Sequence, residues 1–82
     1  MSFVIVEKNQ SSVPSEADLK KAMVESGGTP GEVTGTNASR KMTYTGLVNH
    51  TVFENKLIDI AKGKRNSWAY SWADATVSAA AH

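Results

Sequence analysis

The 82-residue chain contains no cysteine. Without thiols it has no disulfide framework, no thiolate nucleophile, no iron–sulfur cluster and no cysteine zinc site, which excludes several classes of enzyme and of small secreted protein. Its longest apolar runs, Phe3 to Val6 and Ala79 to Ala81, are far shorter than the ~18 residues that a membrane-spanning helix needs. No basic segment followed by an apolar one marks a leader peptide. We therefore expect a cytoplasmic protein without a membrane segment.

Neither sign of charge dominates, because nine basic residues face eight acidic ones and the net charge is +1. That balance gives no reason to expect a general binder of polyanions. The charges are nevertheless unevenly spread: residues 1–32 hold three basic and five acidic residues, whereas residues 33–66 hold six basic and two acidic ones. Such polarity suits self-association or a composite protein partner as well as it suits nucleic acid.

The first half of the chain predicts a strand, a helix and a segment of unclear structure. The β-branched run within Ser2 to Glu7 favours a buried strand. Ser15 approximates a helix cap, which predicts a helix over 16–26 that stops at the following glycine pair. Residues 27–41 are rich in glycine, threonine and serine, and they form a mobile segment, a strand pair around Glu32 to Thr36 or a binding loop.

The second half predicts a strand, a helix and a further strand. Residues 42–45 alternate in strand fashion, and Leu47-Val48 could extend that strand past a bulge at Gly46. Thr51 and Glu54 form a capping box that predicts a helix over 52–62. Residues 67–73 alternate again, and the alanine-rich tail, 74–82, is either helical or mobile.

These elements predict one α+β domain spanning residues 1–82, because so short a chain has no room for a second domain. Its order is β-α-loop-β-α-β, with the loop at 27–41. Two amphipathic helices would pack on one face of a small sheet.

The residues that could carry chemistry do not converge in the sequence. His50 and Glu54 have the spacing of two ligands on one helix face, but a cap at Thr51 places His50 outside the helix. No phosphate-binding glycine motif occurs, and few side chains titrate near neutral pH. We expect no catalytic residues, no metal, no cofactor and no small-molecule substrate.

The sharpest feature is a basic cluster, Lys62, Lys64 and Arg65, that runs directly into three spaced aromatics. These aromatics are Trp68, Tyr70 and Trp72. Cations that contact phosphates beside rings that stack on bases are typical of single-stranded nucleic-acid binding. Equally, the alternation would bury all three rings together in the core, which is the usual place for tryptophan in a small domain.

The interpretation that we favour is a non-enzymatic interaction or assembly domain, which acts by homo-oligomerisation or by docking on a larger protein. A small sheet leaves edge strands that can pair with a second copy or with a partner. Trp68, Tyr70 and Trp72 would be the contact aromatics, with Lys64 and Arg65 as charges at the rim. The alternative is nucleic-acid binding through the basic residues Arg40, Lys41, Lys62, Lys64 and Arg65.

Overall fold

The computed structural model describes residues 1–9, 11–64 and 66–73. Arg65 and the tail 74–82, for which the sequence makes predictions, lie outside the described residues. Within them the elements are β1 (Ser2–Glu7), α1 (Glu16–Glu25), β2 (Thr29–Gly35), β3 (Ser39–Thr45), α2 (His50–Ala61) and β4 (Trp68–Trp72). The predicted α+β class is confirmed. No helix among the described residues has the length and apolar character needed to cross a membrane.

The four strands of the described residues form one sheet in the order β2-β3-β1-β4. Every neighbouring pair is antiparallel. Each helix connects two strands that are not neighbours, which is the split β-α-β arrangement. The order places β1 and β3 in the centre and leaves β2 and β4 at the two edges.

The core lies between one face of the sheet and the two helices. On β1 only alternate residues, Phe3 and Ile5, are fully buried, whereas Val6 is 40% exposed. This is the pattern of a strand with one covered and one open face. The other fully buried large side chains come from β3, the two helices and the loop before α2; they are Met42, Tyr44, Leu19, Met23, Phe53, Leu57 and Val48.

The largest departure from the sequence-based fold is the segment 27–41, which is not a loop. It holds β2 and the start of β3, so the strand pair is the alternative that the structure supports. A short turn joins the two strands, with hydrogen bonds from Thr36 N to Ser39 O at 2.8 Å and back from Ser39 N to Thr36 O at 3.2 Å. Its polar composition suits an edge, because β2 pairs on one side only and its one large apolar residue, Val33, faces Met42.

Helix α1 begins as predicted, because the Ser15 hydroxyl accepts a hydrogen bond from Asp18 N at 3.3 Å. The predicted start of α2 is wrong. Asn49, and not Thr51, is the cap: its side-chain oxygen accepts from Val52 N at 3.1 Å, so the helix begins at His50. At the other end Lys62 takes the left-handed conformation, with φ of 56°, one residue before the predicted glycine stop.

Candidate functional site

The three aromatics of β4 lie on the covered face of the sheet. Their register partners on β1 are Glu7 for Trp68, Ile5 for Tyr70 and Phe3 for Trp72. Trp68 is buried, and Tyr70 and Trp72 are half-buried against the core. These rings therefore do not stand on the outer face of the sheet. The core interpretation describes their position, since an antiparallel strand directs alternate residues to the face that the helices cover.

Trp72 is the centre of an aromatic cluster at the β4 side of the core. Its ring centroid lies 4.5 Å from that of Phe3, 5.4 Å from that of Phe53 and 5.9 Å from that of Tyr44. The rings of Phe53 and Tyr44 stand edge-on to it, the geometry that aromatic quadrupoles favour. The imidazole of His50 stacks on the indole at 3.8 Å with an interplanar angle of 7°. Trp72 thus connects β1, β3 and α2.

Glu54 closes this cluster on the helix side. Trp72 Nε1 donates to Glu54 Oε2 at 2.9 Å, so the carboxylate binds the indole and does not complete the capping box predicted with Thr51. The Tyr70 hydroxyl is buried and has no hydrogen-bond partner among the described residues. Burial, with a smaller contribution from the Glu54 charge, raises the pKa of Tyr70 above its ordinary value.

His50 and Glu54 both lie on α2 and both contact Trp72, which corrects the prediction that His50 stands outside the helix. The described residues contain no cluster of three histidine, aspartate or glutamate side chains suited to holding a metal ion. The arrangement is a packing and hydrogen-bonding unit that ties β4 to the helix layer.

The backbone of β4 presents a free pairing edge. Ala73 N donates to Ser2 O at 3.0 Å, and Lys8 N donates to Ser67 O at 2.9 Å. Because hydrogen-bonding direction alternates along an antiparallel strand, the odd-numbered residues of β4 bond to β1. The N–H and C=O groups of the even-numbered residues, which carry the three aromatic side chains, therefore point away from the sheet. No strand of the described chain covers them, since β4 ends the sheet order.

The two edges of the sheet differ in how well they resist pairing. The β2 edge contains Pro30 and an irregular register between Pro30 and Val33, and it carries the exposed charge of Glu32. Proline, bulges and charge are devices that protect an edge. The sequence of β4, Trp68–Trp72, has no proline and no charge, and its register with β1 is unbroken. Of the two edges, β4 is the one open to another strand.

The described basic residues named in the sequence differ in their surroundings. Arg40 is half-buried, and its guanidinium donates to Pro14 O at 2.7 Å, to Val13 O at 3.3 Å and to Asn37 Oδ1 at 3.1 Å. It holds the loop before α1 to β3 and is not available to phosphates. Lys41, the next residue on the same strand, is exposed and faces the opposite side of the sheet. Arg40 and Lys41 therefore present their side chains to opposite sides of the sheet, and nucleic-acid binding by this pair stays a prediction.

Lys62 and Lys64 lie elsewhere, beside a cleft of about 760 Å³ that sequence reasoning missed. The cleft separates the end of α2 from the loop after β1. Its lining consists of Asn9, Ser11, Ala61, Lys62, Gly63, Lys64, Asn66, Ser67 and Trp68. Residues from both ends of the chain form it, so no local motif could have indicated it.

Comparison of the chain with protein-family models, with curated proteins and with solved structures finds no significant match. The function is therefore argued from the geometry of the β4 edge and of the cleft.

Proposed function

We propose that the chain is a non-enzymatic cytoplasmic assembly domain that forms a homodimer by pairing β4 of one copy with β4 of a second copy. One observation carries the proposal: β4 is an uncharged edge strand of regular register, and its outward backbone groups have no strand beside them in the described chain. An unprotected edge of this kind is a template for a further strand.

The geometry of the pair follows from the alternation along β4. Two identical strands that pair in antiparallel fashion are related by a two-fold axis. The outward N–H and C=O groups belong to Trp68, Tyr70 and Trp72, and Tyr70 is the middle residue. The axis therefore passes beside Tyr70. Tyr70 then faces Tyr70 of the second copy, and Trp68 faces Trp72. Each of these three facing pairs can exchange two backbone hydrogen bonds. The four-stranded sheets of the two copies become one continuous sheet, with the aromatics of both copies on the helix side.

The energetics predict a moderate affinity. Six backbone hydrogen bonds at a net ~0.5–1.5 kcal/mol each contribute roughly 3–9 kcal/mol, and facing aromatic pairs add ~0.5–1.5 kcal/mol each. Association itself costs ~4–15 kcal/mol in lost translational and rotational freedom. These ranges overlap, so we expect at most a moderate affinity and a dimer whose population rises with the concentration of the chain.

A second copy suits this edge better than an unrelated strand. The segment Trp68–Trp72 carries no charge, so an antiparallel copy meets no like charge across the two-fold axis. Pairing of β4 with β2 of the next copy would produce an open chain of molecules. That pairing is blocked by Pro30 and by the irregular register beside it, so the assembly closes as a dimer.

Substitutions on the outer face of β4 test the proposal without touching the core. Ala69 and Ser71 are exposed, and in the proposed register Ala69 of one copy lies opposite Ser71 of the other. The variant A69K/S71K therefore places four lysines together across the dimer axis, whereas each monomer exposes only two added charges to water. V24K/N55K, which adds the same two charges at exposed positions on α1 and α2, is the matched control.

Sedimentation velocity across a concentration series gives the result. We expect the wild-type chain and V24K/N55K to dimerise and A69K/S71K to remain monomeric. An equimolar mixture of A69K/S71K with A69E/S71E should form a heterodimer. Lys64→Ala should leave dimerisation unchanged, because Lys64 lies outside β4. Dimers of A69K/S71K with wild-type affinity would refute pairing through β4. A wild-type chain that stays monomeric at every concentration would refute homodimerisation, and the β4 edge would then be a site for a strand from another protein.

A further inference from the structure

We propose that the cleft between the end of α2 and the loop after β1 binds a small phosphate-bearing molecule. The cleft measures about 760 Å³, which lies within the ~300–1,000 Å³ range of ordinary ligand sites. It is independent of the dimer interface, because its walls are side chains and loop backbone, whereas the interface uses the backbone edge of β4.

The walls of the cleft are held together before any ligand arrives. Asn9 Nδ2 donates to Asn66 O at 2.8 Å, across 57 residues of sequence. Trp68 Nε1 donates to Ser12 O at 2.7 Å, and Lys8 N donates to Ser67 O at 2.9 Å. These contacts tie the loop after β1 to the loop before β4, so a ligand does not have to order them.

Lys64 and Ser67, which both line the cleft, are bonded to each other. Lys64 N donates to the Ser67 hydroxyl at 3.0 Å, and Ser67 N donates to Lys64 O at 3.0 Å. Gly63 lies so close to the ring of Trp68 that a Cβ at this position would collide with it. The loop backbone therefore rests directly on the indole, and the cleft keeps its shape.

The lining chemistry selects an anion. Lys62 and Lys64 contribute two positive charges, and no aspartate or glutamate occurs among the described lining residues. The remaining polar side chains, Asn9, Asn66 and Ser11, are neutral and can donate hydrogen bonds. The last carbonyls of α2 carry a partial negative charge of about one half of an elementary charge. The two lysines carry more positive charge than this, so the sum of these charges favours an anion. Phosphate groups match such a set of ammonium, amide and hydroxyl donors.

A small molecule fits the site better than a nucleic-acid strand does. A strand needs a track of cations and exposed aromatic faces along its path. Here Arg40 is bound to backbone carbonyls, Lys41 lies on the sheet, and Trp68 is only 7% exposed. Lys62 and Lys64 both line the cleft, where they can contact one compact anion.

Nuclear magnetic resonance of the two tryptophan indoles provides a site-specific test. The chain has two tryptophans; the Trp68 N–H lies at the cleft and the Trp72 N–H is bonded to Glu54. We expect inorganic pyrophosphate and AMP to shift the Trp68 indole signal and leave that of Trp72 unchanged, while adenosine shifts neither. Binding should weaken when the ionic strength rises from about 0.01 M to about 0.15 M.

Charge-removing variants complete the test. Lys62→Asn keeps a residue that tolerates the left-handed conformation, and Lys64→Gln keeps a long polar side chain. The double variant should raise the Kd for pyrophosphate roughly tenfold or more, because hydrogen bonds to charged groups contribute most. Lys21→Gln, exposed on α1, should leave the Kd unchanged and is the control for the single variants Lys62→Asn and Lys64→Gln, each of which also removes one charge.

Three outcomes would overturn the proposal. The first is no shift of the Trp68 signal with pyrophosphate or AMP at low ionic strength. The second is an equal loss of affinity in Lys21→Gln, which would show that only net charge attracts the anion. The third is binding of a single-stranded oligonucleotide with no response to pyrophosphate, which would assign the lysines to nucleic acid. An unchanged Trp72 signal in each variant verifies that the fold is retained.

Discussion

Replacing Tyr70 with phenylalanine should stabilise the protein, although the side chain packs against the core. The Tyr70 hydroxyl is buried and has no hydrogen-bond partner among the described residues. Phenylalanine retains the ring and its contacts and removes only the oxygen. A buried polar group without a partner loses its hydrogen bonds to water on folding and gains nothing in return, so its removal should favour the folded state.

The magnitude follows from two opposing contributions. An unsatisfied buried hydroxyl costs ~1–3 kcal/mol, and we take the lower half of that range because the rest of the Tyr70 side chain is half-exposed. Loss of the oxygen leaves a void of about 10 Å³, which costs ~0.2 kcal/mol at ~24 cal/mol per Å³. We therefore expect the free energy of unfolding to rise by roughly 0.8–1.8 kcal/mol. For a domain of this size each kcal/mol raises Tm by about 4–8 °C.

The gain should grow in alkaline solution. Burial, and then the Glu54 charge, raise the pKa of Tyr70 above the ordinary value of 10.0. Below pH 10 the phenol is neutral in the folded and the unfolded chain, so it adds no pH dependence. As the pH rises past 10 the unfolded chain loses this proton and the folded chain retains it, so wild-type stability falls. Tyr70→Phe has no phenol to titrate, so its stability does not fall in this way. The difference in free energy of unfolding between the two proteins can therefore increase by up to ~1.4 kcal/mol per pH unit.

Urea unfolding at pH 7 and at pH 10.5, followed by circular dichroism, measures both effects. The monomeric A69K/S71K chain is the background for this comparison, so that association does not contribute to stability. All other residues are common to the two proteins, so their contributions cancel in the difference. A loss of stability in Tyr70→Phe at pH 7 would show that the hydroxyl is satisfied in solution. A gain that is equal at the two pH values would refute the assigned pKa direction.

Two further predictions concern the helix layer, and both are checked by urea unfolding. Trp72→Ala should lower the free energy of unfolding by ~3–5 kcal/mol, because the indole contacts four rings and donates to Glu54. A decrease below ~1 kcal/mol would contradict the aromatic cluster around Trp72. The same substitution would also abolish dimerisation by unfolding the chain, so it cannot test the interface alone. Asn49→Ala should lower the free energy of unfolding by ~1 kcal/mol through loss of the helix cap, whereas Thr51→Ala should leave it unchanged. A larger effect of Thr51→Ala than of Asn49→Ala would show that Thr51 is the cap.

The elements that could be predicted from sequence are those whose signals are local. The β-branched run of β1 and the cap at Ser15 depend on residues within a few positions of one another, and both elements have the predicted start. At α2 two overlapping signals compete. Asn49 and Thr51 are both good capping residues, and the choice depends on Glu54, which binds the Trp72 indole and so cannot complete a capping box with Thr51.

The sequence leaves β2 as one of three alternatives because the regularity of this strand depends on its neighbour. Two residues between Pro30 and Val33 interrupt the pairing register, so the strand shows no alternation of apolar and polar residues. Gly31 lies against the Thr43 side chain, where a Cβ would collide, and Glu32 N donates to Thr43 Oγ1 at 2.9 Å. In the sequence, a glycine such as Gly31 indicates a loop. In the structure, Gly31 and the Thr43 hydroxyl allow the edge strand β2 to lie close to β3.

For the candidate site, alternation alone predicts that Trp68, Tyr70 and Trp72 share a face. It does not predict which face, because that depends on where the helices pack. The cleft depends on Asn9 and Asn66, which meet from opposite ends of the chain. Neither residue belongs to a motif, so only the three-dimensional fold reveals their contact.

The edge and the cleft meet at Trp68, yet they use different parts of that residue. The dimer requires its outward backbone groups, whereas the cleft uses its ring, which Gly63 covers and which Ser12 fixes by a hydrogen bond. Substitutions at Ala69 and Ser71 change the outer face of β4, which is opposite to the face that holds this ring. The monomeric A69K/S71K chain should therefore show the same pyrophosphate-dependent shift of the Trp68 indole as the wild-type chain. A shift that is lost together with the dimer would mean that the second copy completes the cleft, and that the two sites are one.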